Sequence, residues 1–161
     1  AFINKNRFKE FQIKERVPEE IFADKDYYIV AIDDFVGTGS QSKKFFRNLN
    51  EVHKIDKGRL FLFCIAMMNS AKIRLNGRCF GIWSIECYTR AISDNLGGFE
   101  IKNPLQVYDE IENKLNIGKN FKNGFMGTEA LITLKRTPNN TLPIFWCSRG
   151  KTRVWPALFP R

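Results

Sequence analysis

Uninterrupted apolar runs, rather than strict alternation, mark the first strands of this chain. Residues 28–33 carry Ile29, Val30, Ala31 and Ile32 in a row and predict a strand buried on both faces. Residues 42–53 place Phe45, Leu49 and Val52 at i, i+4 and i+7, the spacing of an amphipathic helix. Lys57-Gly58 breaks the pattern, and residues 60–66 predict a second buried strand. Strand, helix and strand in that order imply a right-handed parallel crossover. A helix or turn over residues 69–75 leads through Gly77 to a third apolar segment, residues 79–87. After a loop at 94–98, residues 104–115 predict a helix with Pro104 at its start and Tyr108, Ile111 and Leu115 on one face. Gly118 ends it, and a basic connection over 119–127 leads to a fourth strand at 129–134. The turn-rich residues 137–143 follow, leading to Ile144-Phe145-Trp146. Residues 1–26 form a charged lead-in, with Pro18-Glu19-Glu20 suited to the first turn of a short helix. The expected fold is α/β, a mainly parallel sheet flanked by helices, in one domain over residues 1–161.

Composition narrows the class. At 161 residues the chain can bury one full core, and 43% hydrophobic residues with 15 Phe describe a globular domain. The longest apolar run, residues 60–68, is too short to span a membrane, and the first residues lack the apolar stretch of a signal peptide. Cys64, Cys79, Cys87 and Cys147 show no metal-type spacing and read as reduced thiols, so a cytoplasmic protein without a zinc site is expected. The net charge of +9 favours phosphate-bearing partners. No acidic residue follows Glu129, whereas Lys135, Arg136, Arg149, Lys151, Arg153 and Arg161 do. That end is either a solvated basic face or an anion-binding edge.

Candidate chemistry concentrates in Asp33-Asp34-Phe35-Val36-Gly37-Thr38-Gly39-Ser40-Gln41. The strand delivers two carboxylates to the edge where open α/β sheets bind ligands. Gly37 and Gly39 let the backbone turn tightly and present N–H groups. With the helix N-terminus near Ser40, those groups favour an anion, ideally a phosphate. An ordinary βα connection has the same order of residues. His53, the one histidine, sits at the end of a helix and reads as structural. Asp109, Glu110 and Glu112 read as a solvated helix face, while Glu86 and Glu129 each border an apolar segment.

The run of apolar positions, Asp-Asp, two further residues and the Gly-Thr-Gly turn resembles the ribose-phosphate loop of type I phosphoribosyltransferases. The resemblance implies that Asp33 and Asp34 meet ribose hydroxyls, and that Thr38, Gly39, Ser40 and Gln41 wrap a 5′-phosphate. Gly37 and Gln41 stand where that family usually has Thr. A second element, Pro138-Asn139-Asn140-Thr141-Leu142-Pro143 followed by an aromatic, joins the ending Trp155-Pro156-Ala157-Leu158-Phe159-Pro160. Together they resemble a bacterial phosphoribosyltransferase-like family found beside reverse transcriptases (retrons) and other antiphage conflict systems. Asn139, Asn140 and Trp146 are expected to form a second wall beside the phosphate loop.

The resemblance implies a domain binding phosphoribosyl pyrophosphate or a nucleotide, with Mg²⁺ accompanying a pyrophosphate-bearing ligand and a protein partner in a defence complex. In the family, the pyrophosphate loop and the mobile lid lie upstream of the ribose-phosphate loop. Here only 27 residues precede the first strand. The chain is therefore expected to be the C-terminal part of a longer polypeptide, or a reduced fold that keeps the pocket without the transfer chemistry. No catalytic residue is assigned. The alternatives are a non-catalytic nucleotide sensor and a nucleic-acid-binding module using the basic C-terminal third.

Overall fold

A computed structural model describes residues 17, 19, 22, 25–98, 100–148, 150, 154 and 156–160. Most of the lead-in, the expected helix start at Pro18, Trp155 and the basic residues Arg149, Lys151, Arg153 and Arg161 lie outside the described residues.

Three strands form one parallel sheet in the order β1-β2-β3: Ile29–Val36, Leu60–Met68 and Gly81–Tyr88. Between them run α1 (Ser40–Arg47), extended by a wider turn at Asn48–Val52, and α2 (Asn69–Leu75). The protein is thus an α/β domain with a parallel sheet and crossover helices. β1 continues past the two aspartates because Phe35 and Val36 still pair with Ala66 and Met67. Both carboxylates therefore sit inside the strand rather than after it.

Adjacent strand residues point to opposite faces, and here the two faces differ. Ile29, Leu60, Leu62 and Cys64 meet Phe46, Leu49, Ala71 and Leu75 from the helical layer in the main core. The opposite face keeps Val30, Ile32, Phe63, Ile65, Trp83 and Ile85 exposed. The expectation that these strands are buried on both faces is corrected: a continuous apolar run here serves one covered and one open face.

The second half of the chain is built with little regular structure. Helices α3 (Pro104–Glu112) and α4 (Pro143–Trp146) carry a smaller core around Ile92, Tyr108 and Leu142. Ala130 and Ile132 join the main core, tying this half to the sheet. The expected strand at 129–134 reduces to a single bridge between Ala130 and Thr141. Glu129 at its start has a left-handed φ of 46°, which excludes that residue from a strand. The Glu129 carboxylate is buried and accepts the N–H groups of Ile92 (3.0 Å) and Ser93 (2.7 Å). Glu112 corrects another expectation. It is buried, not solvated, and its carboxylate accepts the Asn123 N–H at 2.9 Å. Burial pushes its pKa up, and that N–H bond opposes the shift.

Candidate functional site

The loop after β1 turns at the carboxyl end of the sheet. Gly39 has a φ of 70°, a left-handed conformation suited to glycine, and caps α1. A Cβ there would stand 3.3 Å from both Ala71 and Leu75, so the turn lies tightly against α2. The Ser40 N–H donates to Thr38 Oγ1 at 3.2 Å, and Thr38 Oγ1 donates to Ser40 Oγ at 3.1 Å. These bonds hold the hydroxyls of Thr38 and Ser40 together at the start of the helix, with Ser40 and Gln41 exposed.

Arg74, from the last turn of α2, adds a cation that the sequence reading did not single out. Its Nη1 donates to the Thr38 carbonyl at 2.8 Å and to Ser40 Oγ at 3.3 Å. A guanidinium beside two hydroxyls and a helix N-terminus is suited to a phosphate oxygen. The signal available in the sequence was weak, since Arg74 is one of two basic residues on a short helix, with Lys72.

The two aspartates have different surroundings. Asp33 pairs with Cys64 on the covered side and is half-buried, whereas Asp34 follows on the open side and is exposed. The Asp34 N–H donates to Asp33 Oδ1 at 2.9 Å. Burial pushes the Asp33 carboxyl above its ordinary value, and the Asp34 charge adds to the rise, while that N–H bond opposes it.

Asn140 is the residue of the second element that meets the loop. A Cβ on Gly37 would fall 2.3 Å from Asn140 Cγ, so the amide occupies the space a side chain at 37 would need. Gly37 therefore stands where a threonine would not fit in this chain. Asn140 is buried and fixed: its Nδ2 donates to Thr128 Oγ1 at 3.2 Å, and its carbonyl accepts the Ala130 N–H at 3.1 Å. Asn139 is half-buried, and its carbonyl accepts the Phe125 N–H at 2.9 Å. Trp146 belongs to the packing of the second half, its Nε1 donating to the Thr141 carbonyl at 2.7 Å and its ring set edge-on to Phe121. The chain's end folds back onto the same element: Thr137 Oγ1 donates to the Phe159 carbonyl at 3.2 Å.

A strand, a glycine turn and a helix N-terminus at one edge of a parallel sheet define an open α/β domain of strand–turn–helix build. The particular family follows from comparison with known proteins. The chain belongs to the PRTase-CE family, whose model matches residues 2–161. No curated protein and no solved structure matches it.

Proposed function

We propose that this phosphoribosyltransferase-like domain binds a ribose 5-phosphate compound, phosphoribosyl pyrophosphate or a nucleotide, in the loop after β1. The observation that carries the reading is the convergence of Thr38, Ser40 and the Arg74 guanidinium at the N-terminus of α1, with the Arg74 bond of 2.8 Å to the loop. The 5′-phosphate would take the N–H groups of Gly39 and Gln41 and the hydroxyls of Thr38 and Ser40, with Arg74 neutralising part of its charge. Asp33 and Asp34 would accept ribose hydroxyls. Asn140 would hold the loop in shape through Gly37, while Asn139 and Trp146 brace the element that carries Asn140.

Among the described residues no three His, Cys, Asp or Glu side chains are grouped to hold a metal ion. Mg²⁺ bound chiefly by pyrophosphate oxygens and water needs only one or two protein carboxylates, and Asp34, exposed near the end of β1, meets that requirement. Mg²⁺ would supply charge neutralisation of the leaving pyrophosphate. The chain's own residues would bind and orient the sugar phosphate. The setting we propose is a bacterial defence system in the cytoplasm, where the domain acts on a nucleotide or reports it to a protein partner. No helix among the described residues is long and apolar enough to cross a membrane.

Calorimetry with phosphoribosyl pyrophosphate and Mg²⁺, beside AMP, GMP and a short single strand, tests the reading. Micromolar binding of the sugar phosphates is expected. Salt-sensitive binding of the strand alone would replace the reading with a nucleic-acid-binding module.

A further inference from the structure

The end of α3 collects negative charge in a place that disfavours it. Asp109 and Glu112 stand at i and i+3 in its last turn, neighbours on one side of the helix, and that turn contains no basic residue. A helix C-terminus carries a partial negative charge of its own, so cations rather than carboxylates stabilise it. Neither carboxylate belongs to an ion pair among the described residues, where the pairs formed are Arg47–Glu51 and Arg90–Asp94. Lys122 is within electrostatic reach of Glu112, but its Nζ donates to Asn113 Oδ1 at 2.6 Å. Glu112 is 1% exposed. The Asn123 N–H is shared between its two oxygens at 3.0 and 2.9 Å, which leaves further lone pairs open.

Two neutral oxygens beside it lack partners. Tyr108, one helical turn before Glu112, is 8% exposed, and its buried hydroxyl makes no hydrogen bond. The phenol faces that carboxylate: burial pushes its pKa up, and the Glu112 charge adds to the rise. Asn123 Oδ1 is also buried without a hydrogen bond, while the nitrogen of the same amide reaches Asp109 Oδ1 at a long 3.4 Å. Buried polar atoms are ordinarily paired, so two orphans beside an uncompensated carboxylate point to a ligand that they share. Water would pair the orphans but bring no charge against two carboxylates. The donors are all oxygens, which selects a hard cation over zinc or copper. Drawn from a helix and an irregular segment, they suit the flexible coordination of Ca²⁺ better than the strict octahedron of Mg²⁺.

We propose that Asp109, Glu112 and the Asn123 amide oxygen hold one Ca²⁺ ion at the end of α3, with the Tyr108 hydroxyl bonding a water on the ion. The ion ties α3 to the segment that seats Asn140. Asn123 precedes Gly124, where a Cβ would fall 2.1 Å from the Asn140 carbonyl oxygen, and the Asn123 carbonyl accepts the Glu129 N–H at 2.7 Å. The site is separate from the loop after β1 and does not depend on what that loop binds.

Calorimetry of the full chain, stripped with a chelator and titrated with Ca²⁺ in a buffer containing Mg²⁺ but no sugar phosphate, tests the site. One Ca²⁺ per chain is expected, and its binding should raise the melting temperature. Asp109→Asn and Glu112→Gln should each weaken Ca²⁺ by about tenfold or more with far-UV dichroism unchanged, whereas Asp34→Asn should bind it as the wild type does. If Glu112→Gln fails to fold, Asp109→Asn, at a half-buried position, reads the same site. A wild-type chain that binds no Ca²⁺ overturns the proposal, as does binding that survives both α3 variants. Loss of Ca²⁺ in Asp34→Asn alone overturns it too, and moves the cation to the loop after β1.

Discussion

Gly37 and Asn140 share one space: the amide of Asn140 lies where the first side-chain carbon of any other residue at 37 would be, 2.3 Å from its Cγ. Two elements far apart in the chain are locked together by that contact, and the loop after β1 is held against the second half of the domain.

Gly37→Ala should therefore cost about 1–3 kcal/mol through overpacking, read as a lower melting temperature. Asn140→Ala alone loses its bond to Thr128. The two changes combined should be less damaging than their sum, because the smaller residue at 140 makes room for the new methyl. Additive losses would mean that the two residues do not constrain each other.

Asp33 allows a pH test with a defined sign. Its pKa is raised by burial and by the neighbouring Asp34 charge, so the folded chain holds this proton more tightly than the unfolded chain. Its contribution is most favourable near and below the ordinary value of 3.8, and stability falls as pH rises from there through the raised value. Asp33→Asn should remove that decline and keep or raise the neutral-pH melting temperature while weakening ligand binding. A clearly lower melting temperature at neutral pH would show that the carboxylate supports the fold.

The order β1-loop-α1-β2-α2-β3 was legible because its signals are local: apolar runs, the spacing of Phe45 and Leu49, and glycines at the breaks. The openness of one sheet face was not, since a run such as Ile29-Val30-Ala31-Ile32 looks the same whether one face or both are covered. Glu112 was misread as solvated although it lies four residues beyond Tyr108, on the inward stripe; its partner, the Asn123 backbone, is set only by tertiary structure. The missing strand at 129–134 was equally hidden, because the left-handed backbone of Glu129 and the bonds of its carboxylate to Ile92 and Ser93 belong to the tertiary structure. The loop residues 37–41 were legible as a motif, but Arg74 and the Gly37–Asn140 contact come from other parts of the chain.

Arg74 should matter for the anion more than for the fold. Arg74→Ala removes a charged donor from the loop and should weaken phosphate-bearing ligands by roughly 10- to 100-fold, with a smaller change in melting temperature. Arg74→Lys should recover only part of the affinity, since an ammonium cannot reproduce the fork of donors. Equal affinity in all three proteins by calorimetry would remove Arg74 from the site.

The thiols should separate by exposure. Burial pushes the Cys64 thiol up to about 11, with the Asp33 charge adding to the rise, and Cys79 is raised by burial as well. Cys87 is the exposed cysteine, while Cys64, Cys79 and Cys147 are buried. Alkylation of the native chain followed by peptide mapping should label Cys87 first and the others only on unfolding. Early labelling of Cys64 would contradict the packing of the covered sheet face.

The most direct measurement is a calorimetric titration of the wild-type chain and the Asp33→Asn/Asp34→Asn double variant with phosphoribosyl pyrophosphate and Mg²⁺. Micromolar binding that is lost in the double variant, with dichroism and melting intact, is the predicted result. Equal binding by both proteins, or none by either, would contradict a ribose-phosphate site at the end of β1.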